Sequence, residues 1–154
     1  MTDNEPSAAH AIIAGFGVPG RVVAELLESR GIPYTVIETN PATVNRASKP
    51  GRELVCGNAC DAAVLRRAGI EAATLLVIAI PNESAALDAT RQARKLNPTI
   101  HIIARTHYTS VGMEARQLGA NEVVVEEQAV AHEFTRLLSQ GLNIHMQNGG
   151  PAPA

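Results

Sequence analysis

Gly15-Phe16-Gly17-Val18-Pro19-Gly20 forms a G-x-G-x-x-G directly after the apolar run Ala11–Ala14 and directly before a helix-like pattern in which Val22, Val23, Leu26 and Leu27 recur. Strand, tight turn and helix in that order suit a turn that cradles a dinucleotide. Gly15 would allow the turn, Gly17 would let the backbone approach a pyrophosphate, and Gly20 would let the helix pack closely on the strand. Pro19 suits a first helical turn, where no N–H is missed. A second signal strengthens the first. Ile32-Pro33-Tyr34-Thr35-Val36-Ile37 reads as a strand, and Glu38 closes it near the ~20-residue offset at which a carboxylate meets a ribose. Such a carboxylate accepts both ribose hydroxyls and repels a 2′-phosphate, which favours NAD or an adenosine nucleotide over NADP. Taken singly, the glycines also fit an ordinary tight turn of an α/β fold, and Glu38 a solvated strand end.

The elements that must position these residues follow along the chain as alternating strands and helices. Asn40 caps a short helix beginning at Pro41, and Glu53-Leu54-Val55-Cys56 reads as a third strand. Asp61 caps a helix that carries Val64, Leu65 and Ala68 and stops at Gly69. Thr74 to Ile80 is the most buried-looking strand, and the helix after Asn82 and Ser84 ends at Asn97-Pro98. Thr99 to Ala104 is the fifth strand, a helix spans about Ser110 to Leu118, and Glu122 to Val125 makes a sixth strand. Six strands with helical crossovers predict an α/β, Rossmann-like, doubly wound parallel sheet in the order 3-2-1-4-5-6, with a C-terminal helix. Its crevice lies where the order reverses, above the first and fourth strands. Gly15 to Gly20, Glu38, Asn58-Ala59-Cys60 and Ala79 to Asn82 fall there or beside it.

Composition fits one domain. The 154 residues are 45% hydrophobic but only 3% aromatic, so the core must be Val, Ile, Leu and Ala, as in buried parallel strands. A formal charge of −2 without a Lys/Arg block argues against a nucleic-acid surface or an anionic membrane surface. The longest strongly apolar segment, Ala72 to Ile80, is about half the ~20 residues of a membrane helix. Met1 to Ala9 lack the apolar core of a signal peptide, so a cytoplasmic location and a disordered N-terminus over residues 1–9 are expected. The domain is expected over residues 10–142 and a flexible tail over 143–154.

Cys56 and Cys60 match neither a C-x-x-C redox pair nor a zinc knuckle, and the five histidines are scattered, so no metal site is expected. Cys60 precedes a helix, whose N-terminus could stabilise a thiolate, although two inert thiols fit as well. A small NAD-dependent oxidoreductase is the competing class. It is opposed because six strands and their helices use nearly the whole chain, leaving no catalytic domain. Neither Tyr34 nor Tyr108 is followed by a lysine four residues on, and loop solvation accounts for His107 and Tyr108. An interaction module that has lost its ligand is opposed by the intact glycine turn and Glu38.

The combination of motifs resembles an RCK domain, also called KTN or Trk-N, most of all its Kef-type antiporter branch. The matching pieces are Gly15 to Arg21, Val36-Ile37-Glu38, Val55-Cys56-Gly57-Asn58-Ala59, Leu65 to Ala73, Ile102-Ile103-Ala104-Arg105 and Leu118 to Val123. The resemblance implies a cytoplasmic, non-enzymatic regulator of a potassium channel or a Kef/Trk-type cation transporter, binding NAD(H), AMP, ADP or ATP and acting as a homodimer. It places the glycine turn (Gly15, Phe16, Gly17, Val18, Pro19, Gly20) against phosphate, Glu38 at the ribose, and Asn58 and Ala59 on the adenine side. Thr39, Cys60, Ala79 and Ile80, at or beside the crevice, are expected to complete the nucleotide site. Arg105 would meet an anionic effector such as glutathione or a nucleotide phosphate from a neighbouring subunit, or else form an intramolecular ion pair.

Two departures bear on affinity. Val18 stands where members of this family often have a basic residue, which leaves backbone amides and the helix terminus to hold phosphate, worth ~0.3–1 kcal/mol for an exposed anion. Asn58 stands where an aspartate is common, and it can donate as well as accept. Beyond the last strand, Val130, Phe134, Leu137 and Leu138 form an apolar stripe on a helix, which either folds back onto its own sheet or crosses to a second subunit.

Overall fold

In the computed structural model, which describes residues 9–148, short β-branched runs build the strands and Asx-capped amphipathic segments build the crossovers. Strand β1 (Ala11–Ala14) leads through the glycine turn into α1 (Val18–Ser29), and β2 (Tyr34–Glu38) leads into α2 (Pro41–Ala47). Then follow β3 (Glu53–Cys56), α3 (Ala62–Arg67), β4 (Leu75–Ile78), α4 (Glu83–Leu96), β5 (His101–Thr106), α5 (Thr109–Gln117), β6 (Glu122–Val125) and α6 (Glu126–Asn148). The Asn40, Asp61 and Asn82 side chains accept from backbone N–H groups of the helices they precede, satisfying donors that the first turn leaves free.

All six strands pair in parallel in the order β3-β2-β1-β4-β5-β6, the expected topology. Residues Ala11 to Ala14 face Tyr34 to Ile37 on one side and Leu75 to Ile78 on the other, so β1 and β4 are central. Alternation along each strand divides the core. Ile12, Leu76, Ile78 and Ile102 pack with α3, α4 and α5 on one face, while Ile13 and Val36 pack with Ala24 and Leu27 of α1 and Ala47 of α2 on the other.

Several boundaries differ from the sequence reading. The second strand starts at Tyr34 because Ile32 is still tied to Leu27 O at the end of α1 and Pro33 has no N–H to donate. The fourth ends at Ile78, and the fifth is displaced to His101–Thr106, which puts Arg105 inside it. The tail expected from Asn143 is helical through Asn148, because the Gly149-Gly150 pair, the first strong stop, comes only after that residue. The rest of that tail, and residues 1–8 of the expected N-terminus, lie outside the described residues.

Candidate functional site

The glycine turn is built by close backbone approach. Gly15 has φ +97°, a left-handed conformation, and a Cβ there would lie 3.1 Å from the Ala79 carbonyl oxygen. A Cβ on Gly20 would lie 2.1 Å from the Gly15 oxygen, so that position must also be glycine for α1 to start where it does. Gly17 precedes α1 without a side-chain cap, and the uncapped helix end opens on a cleft of about 680 Å³ at the carboxyl ends of β1, β2 and β4. That volume suits a mononucleotide or part of a dinucleotide.

Glu38 is fixed at one wall of this cleft. Its Oε2 accepts from the Phe16 N–H at 3.0 Å, while Oε1 accepts from the Asn40 N–H at 2.9 Å and the Thr39 hydroxyl at 3.3 Å. Burial pushes the carboxyl up, but the N–H groups of Asn40, Phe16 and Thr39 prevail and hold it below the ordinary carboxylate range. The group is therefore ionised and pre-oriented near pH 7. These bonds use both acceptor sites of Oε1 and one of Oε2, so one ribose hydroxyl can be added at Oε2 and a second can take the place of the rotatable Thr39 hydroxyl at Oε1 without dismantling the turn.

The remaining expected site residues divide into those at the cleft and those turned from it. Gly15, Phe16, Gly17, Val18 and Pro19 form one side, and Glu38 and Thr39 the next. Asn58 and Ala59 line the β3 end, and Ala79, Ile80 and Arg105 the β4–β5 end. Gly20 lies behind the turn as its packing contact. Cys60 departs from expectation: its Sγ donates to the Ala85 oxygen at 3.3 Å and packs against the core instead of lining the cleft. Burial and the Asp88 charge push this thiol up, opposite to the shift a reactive thiolate needs. Asn58 Oδ1 accepts from the Cys60 N–H at 2.9 Å, so its amide NH₂ is the part left for a ligand.

The sequence reading missed Asn40 and Thr43, which also line the cleft. Their signal was present, because they stand one helical turn apart just after Glu38. For Arg105 the sequence reading left open an effector or an intramolecular ion pair, and the ion pair is present, with Glu126 as the partner that the sequence did not name. The Arg105 Nε pairs with Glu126 and its Nη1 lies 3.5 Å from the Ala79 oxygen, so the guanidinium belongs both to the cleft and to the start of α6. Val18, where a cation was absent from the sequence, is 66% exposed at the cleft mouth.

Comparison with known proteins matches this architecture. A family model for the TrkA-N domain covers residues 11–126. An Escherichia coli protein named as a cation/proton antiporter, YbaL, is 36% identical over 129 residues, 84% of this chain and 23% of YbaL. Potassium channel protein 1 of Methanocaldococcus jannaschii is 31% identical over 130 residues, 83% of this chain and 39% of that protein. The chain thus spans less than half the length of either relative. Among solved structures, the TrkA-N domain of YbaL superposes with a TM-score of 0.81 at 36% identity, covering 85% of this chain and 97% of that domain. A Kef CTD from Shewanella denitrificans in AMP-bound form gives 0.71 at 30% identity, covering 86% and 81%. The GsuK channel bound to NAD gives 0.69 at 26% identity, covering 78% and 22%.

Proposed function

The chain belongs to the TrkA-N domain family, and from that premise we propose that it is a regulatory domain that binds an adenine nucleotide or NAD(H) and passes the consequence to a membrane potassium channel or Kef/Trk-type cation transporter. The observation that carries this reading is the bond from the Phe16 N–H to Glu38 Oε2, which joins a ribose-type acceptor to a phosphate-type glycine turn in one cleft. The AMP-bound Kef structure and the NAD-bound GsuK structure support a nucleotide as the ligand class. In this reading the domain is non-enzymatic and cytoplasmic. No described helix is long and apolar enough to cross a membrane.

The proposed working unit is a homodimer. Every described side chain of α6 from Glu127 to Gln140 is exposed, including Phe134 at 71%, and an isolated helix gains too little from its own hydrogen bonds to justify such a face. Next to it, the α1 side of β4, β5 and β6 forms an open apolar groove lined by Val77, Ile103 and Val124. A second copy would cover both surfaces, and two clefts held across a dimer could convert ligand binding into a change of angle at the transporter.

Calorimetry tests the ligand reading. NADH or AMP should bind more tightly than NADPH, and Glu38→Ala should cost ~1.5–3 kcal/mol, roughly ten- to hundredfold in affinity. NADPH binding as tight as NADH, or a substitution without effect, would overturn the assignment.

A further inference from the structure

Among the residues that line the cleft, Arg105 is the single cation and Glu38 the single anion. Inside the cleft, a ligand phosphate at the glycine turn therefore meets one side-chain cation, while Arg21, Arg46 and Arg52 line the adjoining recess on the far side of Phe16, Gly17 and Val18. The cation inside the cleft is already engaged. The Arg105 Nε donates to Glu126 Oε1, in an ion pair whose side chains are 24% and 32% exposed. The other end of the guanidinium faces the cleft, with Nη1 3.5 Å from the same Ala79 oxygen that closes over Gly15. Nη2 has no hydrogen-bond partner among the described residues, so it is available to an anion.

Resting on the nucleotide reading above, we propose that Glu126 is a built-in competitor for the anionic part of the ligand: its carboxylate occupies Arg105, and a bound phosphate must share or take that guanidinium. Glu126 thereby sets how strongly the cleft distinguishes a phosphorylated adenosine from an uncharged one. The displaced carboxylate has favourable places to go. It is the first residue of α6, where a negative charge meets the helix dipole, and its Oε2 already lies 3.5 Å from His107 Nε2. His107 Nδ1 in turn lies 3.5 Å from Glu83 Oε1, and Glu83 accepts from the His107 N–H at 2.8 Å, so the histidine stays anchored whichever way Glu126 turns. The exchange would occur at the foot of the helix proposed to form the dimer.

The test is calorimetry on wild type, Glu126→Gln, Arg105→Gln and the double variant, with AMP, ADP and adenosine, alongside thermal melts that verify folding. Glu126→Gln should bind AMP and ADP roughly two- to fivefold more tightly, the worth of a partly exposed ion pair, while adenosine affinity stays constant. In the Arg105→Gln background the gain should vanish. Glu126→Ala, which cannot rebuild a hydrogen bond to Arg105, should show at least the same gain. AMP affinity that ignores Glu126, or a gain that persists without Arg105, would overturn this inference while leaving the nucleotide reading intact. Failure of AMP, ADP and adenosine to bind any of the proteins, wild type included, would overturn both.

Discussion

The two faces of the sheet are finished differently. Against α3, α4 and α5, every strand from β1 to β6 contributes to a continuous core, with Ile12, Leu76 and Ile102 at 0% exposure. Against α1 and α2 the cover stops part-way across. Ile13 and Val36 are buried, but Val124 is 52% exposed and Val77 and Ile103 line an open groove. Alternation alone would make both faces apolar, and both are. What differs is that the covered face receives three crossover helices, whereas the other receives two, and α6 leaves the sheet instead of lying back over β4 and β5. The result is an apolar groove left open over β4, β5 and β6.

Phe134→Asp with Leu138→Asp should give a folded monomer by light scattering, because burying such side chains is worth ~1.5–3 kcal/mol each before ordering costs. Wild type that is already monomeric at micromolar concentration would remove the second copy as the cover of the open face.

The next test uses neighbouring residues of one strand. Ile102→Ala, on the covered face, should lose ~2–5 kcal/mol in urea denaturation, whereas Ile103→Ala, on the open face, should lose about 1 kcal/mol at dilutions that keep the protein monomeric. The Ile103→Ala cost should then grow with protein concentration as the dimer forms. Equal losses at every concentration would mean that the two faces are buried alike.

The part-covered face is also held at its edge by an ion cluster. There the Glu28 carboxyl of α1 is pulled from 4.5 to about 2 by hydrogen bonds from Lys49, Tyr34 and Arg52. Arg52 also stacks 4.9 Å from the Phe16 ring centroid, which ties this cluster to the glycine turn. A lowered folded-state value means that the contribution is complete above about 4.5 and is lost as pH falls toward about 2. Melting temperatures across that window should fall more steeply for wild type than for Glu28→Gln, with a difference under ~1 kcal/mol because these pairs are partly solvated. Parallel curves would show that the cluster adds nothing to stability.

What the sequence determined by itself was local or periodic: the six strands and their order of appearance, the Asx caps at Asn40 and Asp61, the glycine turn, and Glu38 at a strand end. Each of these depends on residues within a few positions of one another, and the right-handed βαβ connection then restricts the sheet order. The lining of the candidate cleft was legible to the same extent, because Gly15 to Pro19 and Glu38 sit at the ends of adjacent strands in any sheet with that order. Tertiary structure alone decided which of several local options each remaining group took. Arg105 could meet a ligand or an internal carboxylate, and only the docking of β6 beside β5 brings Glu126 to it across 21 positions of sequence. Cys60 could face the helix end or the core, and the position of α4 turned its sulfur to Ala85. The stripe on α6 could have folded back or stood clear, since a 3.6-residue period states that a helix has an apolar face and nothing about what lies opposite it. Partners distant in sequence are chosen by packing, and packing exists only once the sheet has assembled.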